Sequence, residues 1–193
     1  MVGYLLSGMG KEYPVIDDEI RQWIGKQKLF FVSTAPLASD GLVNCSPKGM
    51  DTFRVLDERT IAYLDLTGSG VETIAHLKEN GRITIMMCAF DGPPKIFRFY
   101  GKGDVLEKGS DEYAERIGAF EEYLGARSII QINVKRIIDS CGYSIPLYDY
   151  KEDRDILLKW ADAKGEDGVQ KYQALENAKS LDGLDGLSRE SGE

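Results

Sequence analysis

The spacing of apolar residues changes along the chain and predicts where helices give way to strands. Within residues 15–28, isoleucine and tryptophan side chains recur every three or four positions, which is typical of an amphipathic helix. The runs that follow are short, rich in Val, Ile, Thr, Phe and Tyr, and bounded by turn residues, which favours β-strands. The predicted strands cover residues 29–35, 42–48, 52–57, 60–66, 82–90, 95–106 and 128–143.

Helical spacing reappears after residue 70 and in the C-terminal quarter of the chain. The predicted helices there include residues 110–124, 153–165 and 166–179. Residues 180–193 are rich in glycine and acidic side chains, so we expect a loose tail. Asp40-Gly41 is a hairpin signal between two predicted strands, and residues 91–94 predict a turn.

Many short strands separated by few helices indicate a mainly β fold with flanking helices, of the α+β class. We expect an antiparallel barrel whose sheet closes on itself rather than lying open. With 193 residues and 42% hydrophobic content, the chain can form one good core but not two ordinary domains. The expected organisation is a barrel domain over 1–150 and, over 151–193, a helical extension that ends in a flexible acidic tail.

Charge and composition argue against several classes of partner. The net charge is −8 and the pI is near 4.8, so the surface has no overall basic field for nucleic acid or anionic lipid. No apolar run approaches the roughly 18 residues of a membrane-spanning helix, and no secretory signal pattern occurs. Cys45, Cys88 and Cys141 are far apart, and the first two lie in predicted strands, where a thiol is usually a small core residue. We expect a cytoplasmic protein that binds neither nucleic acid nor membrane.

The turn between the strand at 60–66 and the following helix has two interpretations. Ser69 and Glu72 fit a capping box, in which the serine hydroxyl accepts an early helix amide and the glutamate reaches back to the cap. Asn80-Gly81 would then end the helix. Alternatively, Gly68 and Gly70 leave room for a phosphate to approach backbone amides at the positive helix end. Neither a P-loop nor a complete dinucleotide fingerprint is present, because Thr73 replaces the third small residue of the latter.

A second candidate stretch is 44–49, with the sequence Asn-Cys-Ser-Pro-Lys-Gly. Side chains alternate along a strand, so Asn44, Ser46 and Lys48 should project from one face while Cys45 and Pro47 project from the other. Three polar groups on one face need either solvent or a ligand as partner, and both interpretations stay open. For a phosphate, Lys48, Arg54 and Arg82 are the candidate cations.

Catalytic sets built from side chains alone receive little support. His76 is the only histidine, so neither a Ser-His-Asp triad nor a multi-histidine metal site can be assembled within one chain. Its position inside a predicted helix favours a structural or a surface residue. No metal site is expected, no catalytic residue can be named, and reactive chemistry would have to come from a cofactor.

The order of these motifs resembles the pyridoxamine 5′-phosphate oxidase-related family of FMN-binding split β-barrels, over about residues 17–143. The carrying signatures are S-P-K-G, L-D-x-T-G-S-G and D-S-C-G-Y. The resemblance implies a homodimer with FMN at the subunit interface. It also implies cofactor-binding residues: Asn44, Ser46, Pro47 and Lys48 beside the flavin ring, Tyr63, Leu64 and Asp65 under it, and Ser69, Gly70 and Thr73 at the phosphate.

This resemblance implies an FMN-dependent oxidoreductase that acts on a small-molecule substrate. The alternative is a haem- or deazaflavin-binding split-barrel protein without FMN turnover, since the wider fold family includes such members. Two departures are informative. Glu72 places a negative charge beside the expected phosphate. In addition, the chain continues after Tyr143 into an unrelated helical extension instead of the tryptophan- and arginine-containing segment that helps hold the substrate phosphate, so pyridoxamine phosphate is not the expected substrate.

Overall fold

One antiparallel sheet contains all the strands in residues 10–188, the part of the chain that the computed structural model describes. The strands are β1 (Glu12–Tyr13), β2 (Phe30–Thr34), β3 (Asn44–Lys48), β4 (Phe53–Val55), β5 (Thr60–Leu66), β6 (Arg82–Cys88), β7 (Ile96–Glu107) and β8 (Ala126–Ser140). Their hydrogen-bonded order is β3-β2-β6-β7-β8-β5-β4, and β1 pairs with β8. The predicted α+β class with an antiparallel sheet is therefore confirmed.

Four α-helices within residues 10–188 flank the sheet. They are α1 (Asp18–Gly25), α2 (Glu72–Asn80), α3 (Asp111–Arg116) and α4 (Ile156–Glu176). Gly165 has a left-handed φ of 67° and divides α4 into two halves, which correspond to the two helices predicted in the extension. Within residues 10–188, no helix combines the length and apolar character needed to cross a membrane.

The sheet curls into a split barrel, with β3 and β4 as its two ends. The expectation of complete closure is wrong for the described strands, because no ladder joins β3 to β4. Pro47 lacks an N–H to donate from the outer edge of β3, and β4 has only three residues. Side chains cross the gap instead: the Phe30 ring lies 5.0 Å from Phe53 and 5.4 Å from Tyr63, between centroids.

The main core lies between the inner face of the sheet and helices α1 and α2. Strand β6 shows the period of two, since Ile83, Ile85 and Met87 are buried while Thr84 and Met86 are partly exposed. On the other face of β5, a smaller cluster packs α3 against the sheet. The two clusters bury alternate residues of β5, which fixes the direction of each side chain in that strand.

Capping residues mark the starts of α1 and α3, but the sequence pattern does not predict where α3 ends. Asp17 caps α1 by accepting the Ile20 N–H at 2.9 Å, and Ser110 caps α3 by accepting the Tyr113 N–H at 3.1 Å. Helix α3 ends at Arg116, well before the predicted residue 124, because the chain tightens into a 3-10 helix over Ile117–Ala119. Gly118 lies in that turn and weakens helix continuation.

The predictions for the two strand cysteines have different outcomes. Cys88 is buried, as expected, but Cys45 is exposed, so its assignment to the core is wrong. The reason is that Cys45 lies on edge strand β3 and projects from the outward face of the sheet.

Candidate functional site

Polar side chains from β3 and β5 meet in the gap of the barrel, which we call the split and define by residues 44–48 and 63–65. In the β2–β3 ladder, Asn44, Ser46 and Lys48 lie opposite Thr34, Val32 and Phe30. Directly opposed residues of an antiparallel pair share a face, so all three polar side chains point inward. The predicted alternation is confirmed, and the interpretation of these three residues as a solvated outer face is wrong.

Asn44 organises the end of the split next to α2. Its Nδ2 donates to Thr73 Oγ1 at 3.0 Å and to Thr34 Oγ1 at 3.2 Å. Ser46 Oγ donates to Asn44 Oδ1 at 2.8 Å. The structure thus brings together three of the predicted cofactor residues from β3 and α2, in a network in which both ends of the amide are used.

Asp65 lies between two cations. Lys48 Nζ is 2.8 Å from its Oδ1, and Arg127 Nε is 2.7 Å from its Oδ2. The Asp65 side chain is fully buried, Arg127 is 4% exposed, and Lys48 is 24% exposed. Burial disfavours the charged carboxylate, but Arg127 and Lys48 overcome this cost and hold the pKa of Asp65 at about 2. The site therefore carries one excess positive charge at its solvent-facing end.

Tyr63 and Leu64 show how β5 divides its side chains between the two faces. Tyr63 is fully buried under the Lys48 ammonium, which lies 5.9 Å from its ring centroid. Burial raises the pKa of the Tyr63 phenol, and its hydroxyl makes no hydrogen bond of normal geometry with any residue of the described range. Leu64 points to the opposite face and packs in the smaller cluster, so only its backbone faces the split region. Its N–H already donates to Thr52 O at 2.9 Å.

The capping-box prediction for α2 is wrong. The helix begins at Glu72 with Val71 at the N-cap position, and no side chain caps it, while Ser69 is exposed two residues earlier. The Glu72 carboxylate instead lies beside Gly70 and accepts the Leu181 N–H at 3.3 Å. A tertiary contact has thus replaced the local one. The predicted C-terminal stop is confirmed, since Gly81 has a left-handed φ of 70° and its N–H bonds to Leu77 O.

The glycine turn, which we define as residues 67–71, is held by its carbonyl groups. Asn177 Nδ2 donates to Gly68 O at 2.9 Å, and the Arg127 guanidinium donates to Gly70 O at 2.9 Å. Neither glycine has a left-handed φ. A Cβ added to Gly68 would meet no atom within 4 Å, whereas one added to Gly70 would lie 2.4 Å from Glu72 Oε2. What distinguishes Gly70 is therefore its contact with the movable end of the Glu72 side chain and not backbone strain.

Two of the three candidate phosphate cations are engaged elsewhere. Arg54 forms a bidentate pair with Asp51, and Arg82 donates to Asn80 Oδ1 and to Pro36 O at the far end of α2. Lys48 remains in the split. Arg127 was not predicted, and no local motif marks it, because its partners Asp65 and Gly70 are 62 and 57 residues away in sequence.

His76 is a buried residue on α2. Its Nδ1 lies 2.9 Å from Thr34 Oγ1, and its Nε2 has no hydrogen-bond partner among the described residues. Burial lowers the pKa of the imidazole, against the opposing charges of Asp182, Glu72 and Glu79. The histidine is therefore neutral at pH 7, in keeping with the structural role expected from its position.

The C-terminal segment, which we define as residues 177–188, packs against the glycine turn and α2. Leu42 N–H donates to Asp182 Oδ2 at 2.8 Å, and Lys78 binds Glu107 at 2.6 Å and Gly186 O. Leu187 packs against the main core. The rest of the predicted tail, residues 189–193, lies outside the described residues.

A separate cavity of about 1110 Å³ lies between α1, the β6–β7 connection and residues 148–152. Aromatic side chains line much of it, including Trp23, Phe90 and Tyr148. None of the ten predicted cofactor residues contributes to its wall. The split and this cavity are thus distinct features of the fold.

The amino-acid sequence and the fold were compared with those of known proteins. The family described as pyridoxamine 5′-phosphate oxidase matches residues 16–141. The chain is 40% identical over 195 residues to the pyridoxamine 5′-phosphate oxidase family protein ustO of Aspergillus flavus, covering 91% of this chain and 77% of that protein. The crystal structure of HupZ from Group A Streptococcus shares the fold, with a TM-score of 0.51 and 23% identity over 69% of this chain and 99% of HupZ. The protein belongs to the pyridoxamine 5′-phosphate oxidase family.

Proposed function

We propose that the protein binds FMN in the split and acts as an oxidoreductase on a small-molecule substrate. The observation that carries the proposal is the Lys48–Asp65–Arg127 group, a buried carboxylate between two cations at the open side of the barrel. Two positive charges against one negative charge favour an anionic ligand at this position. The chain belongs to the pyridoxamine 5′-phosphate oxidase family, and its resemblance to the FMN-binding split barrels of that family supports a flavin as the ligand.

The proposed cofactor contacts divide into a ring end and a phosphate end. Asn44, Ser46, Pro47 and Lys48 would lie beside the ring, with Tyr63, Leu64 and Asp65 beneath it. Ser69, Gly70 and Thr73 would hold the phosphate. FMN would supply reversible hydride and electron transfer, while the chain supplies orientation and charge.

The donor set at the ring end fits such a ligand. Lys48 uses one of its three N–H donors on Asp65 and is partly exposed, so further donors face the opening. Because Arg127 also neutralises Asp65, the Lys48 ammonium is not fully compensated and can favour negative charge on a bound molecule. Lys48 and Arg127 would bind the flavin ring and polarise it. The buried Tyr63 stays un-ionised and would lie beneath the ring.

The glycine turn can accommodate the FMN phosphate, but one nearby group, the Glu72 carboxylate, opposes its binding. Ser69 is exposed and Gly70 offers close approach, but the Glu72 carboxylate lies next to Gly70. Like charges at this distance repel, so Glu72 would have to turn aside or weaken phosphate binding. We therefore expect a phosphate contribution to affinity that is positive and modest.

We further propose a homodimer in the reducing cytoplasm. On the outer face of the sheet, Phe31 of β2 lies opposite Met86 of β6, and both are only partly buried in one chain. Such adjacent apolar groups in the middle of a sheet suit a two-fold interface. The free thiols of Cys45, Cys88 and Cys141 suit a reducing compartment.

Haem and deazaflavin are the alternative ligands. The single imidazole is a poor candidate for an axial haem ligand, since His76 is fully buried and bonded to Thr34. We expect His76→Ala to leave the spectrum of any haem-loaded protein unchanged, and loss of a Soret band would favour the haem function instead. Deazaflavin would use the same ring contacts as FMN.

The decisive experiment is to purify the protein, record its absorbance spectrum and titrate it with FMN and riboflavin while following flavin fluorescence. A flavin spectrum and tighter binding of FMN than of riboflavin support the proposal. Binding of neither flavin, with a Soret or deazaflavin spectrum, would contradict it. Equal affinities for the two flavins would remove the assignment of the glycine turn to the phosphate.

A further inference from the structure

Asn177, at the end of α4, joins the C-terminal extension to the glycine turn. Its Nδ2 donates to Gly68 O at 2.9 Å, and its Oδ1 accepts from Arg127 at 2.9 Å. The same Arg127 nitrogen donates to Gly70 O. One buried amide and one buried guanidinium therefore hold two carbonyl groups of the turn.

The orientation of those carbonyls fixes the orientation of the amides that follow them. In a trans peptide the C=O and the next N–H point in opposite directions. Because Gly68 O and Gly70 O face Asn177 and Arg127, the N–H groups of Ser69 and Val71 are directed to the opposite side of the turn. Alternate amides turned outward in this way are the donors that a bound anion requires.

Asn177 is well suited to impose this arrangement. It is fully buried and both its side-chain ends are bonded, as is its backbone: its N–H donates to Gln173 O and its carbonyl accepts the Leu187 N–H, both at 2.9 Å. A buried amide that is bonded through both its nitrogen and its oxygen has one favoured orientation, since exchanging the two ends would leave their partners unpaired. Gly186 packs next to it so closely that an added Cβ would lie 2.2 Å from Asn177 O.

We infer that Asn177 is a positioning residue for the cofactor phosphate, so that the extension is part of the binding site. Asn177 lies outside residues 16–141, the part of the chain matched by the family. The extension thus shapes a turn that belongs to the family fold. This inference rests on the proposed FMN function, because the phosphate is the group that the turn would bind.

The test compares FMN and riboflavin affinities in the full-length protein. Asn177→Asp keeps an acceptor for Arg127 but places an oxygen where Gly68 O needs a donor, and Asn177→Ala removes both bonds. We expect each variant to lose at least about tenfold in FMN affinity, equivalent to roughly 1.4 kcal/mol, and less than about twofold in riboflavin affinity. A general loss of structure would weaken the binding of FMN and of riboflavin equally. Circular dichroism and thermal melting establish which variants are folded.

Gln173→Leu is the matched control. Gln173 lies one turn earlier on α4 and donates to Thr67 Oγ1 at 2.8 Å. Its replacement removes another hydrogen bond between α4 and the glycine turn but leaves the hydrogen bonds to Gly68 O and Gly70 O in place. We expect it to preserve the FMN-to-riboflavin affinity ratio. A folded Asn177 variant with the parental ratio, or a Gln173→Leu protein with an equally reduced ratio, would overturn the inference while leaving FMN binding intact. A parent protein that binds neither flavin would overturn the proposed function itself.

Discussion

Lys48 reaches across the split to Asp65, with its Nζ 2.8 Å from Oδ1. The contact links edge strand β3 to β5, two strands that the backbone ladders do not pair. Arg127 holds the other carboxylate oxygen from β8, which is the hydrogen-bonded neighbour of β5. The closure of the barrel at this position therefore depends on side-chain charge, at the same place where the proposed ligand would bind.

Replacing Asp65 should strongly destabilise the fold. Asp65→Asn removes the negative charge but leaves Arg127 buried and Lys48 half-buried, and an uncompensated buried charge costs about 3 kcal/mol or more. Urea denaturation would measure the change in the free energy of unfolding. Glu12→Gln is the control, because Glu12 forms a solvent-exposed pair with Arg136 and its loss should change the free energy of unfolding far less than the loss of Asp65. Equal effects of the two substitutions would contradict the buried-pair argument.

The stabilising effect of Asp65 should disappear in acid. Its folded pKa of about 2 lies below the ordinary value of 3.8, so the unfolded chain takes up the proton first as the pH falls. The carboxylate thus stabilises the fold fully above about pH 5, and about 2 kcal/mol of this is lost as the pH falls towards 2. The difference in unfolding free energy between the parent and Asp65→Asn, measured at several pH values, should narrow over that range. A constant difference would show that the pKa is not lowered.

Local patterns predicted the strands well because alternation and turn chemistry are properties of neighbouring residues. The face shared by Asn44, Ser46 and Lys48 followed from the period of two alone, whereas its inward direction is set by the pairing of β3 with β2. What local patterns could not predict is the competition at Glu72, whose carboxylate bonds to Leu181, 109 residues away, rather than to its own helix start. Arg127 and Asn177 escaped notice for the same reason. Their roles are set by contacts between distant parts of the chain, which one sequence does not encode as a motif.

The outer face of the sheet should form the dimer interface. Phe31 and Met86 are paired there. A carboxylate at position 31, which lies directly opposite Pro47 and Met86, would have to be desolvated without a partner in the centre of such an interface. We expect light scattering to give about twice the 21.5 kDa chain mass for the parent protein and the single-chain mass for Phe31→Glu. Thr60→Glu, at the far end of β5, is the control and should remain dimeric. A parent protein that is a monomer and still binds FMN fully would contradict the dimeric site.

Replacing Glu72 should strengthen phosphate binding while weakening the helix. The carboxylate lies beside Gly70 at the start of α2, where a negative charge favours the helix dipole but repels a second anion. We expect Glu72→Gln to lose about 0.5 kcal/mol of stability. We also expect it to gain up to about tenfold in FMN affinity, with riboflavin affinity unchanged.

Glu79→Gln makes the same change in net charge at the other end of α2, where Glu79 accepts the Leu37 N–H, so it separates local from overall electrostatics. The two variants and the parent would be titrated with both flavins at low and moderate salt. The gain from Glu72→Gln should shrink as salt screens the repulsion. If Glu79→Gln raises FMN affinity equally, only overall charge matters. If neither variant changes it, the phosphate does not lie near Gly70, and the turn is simply where α2 begins.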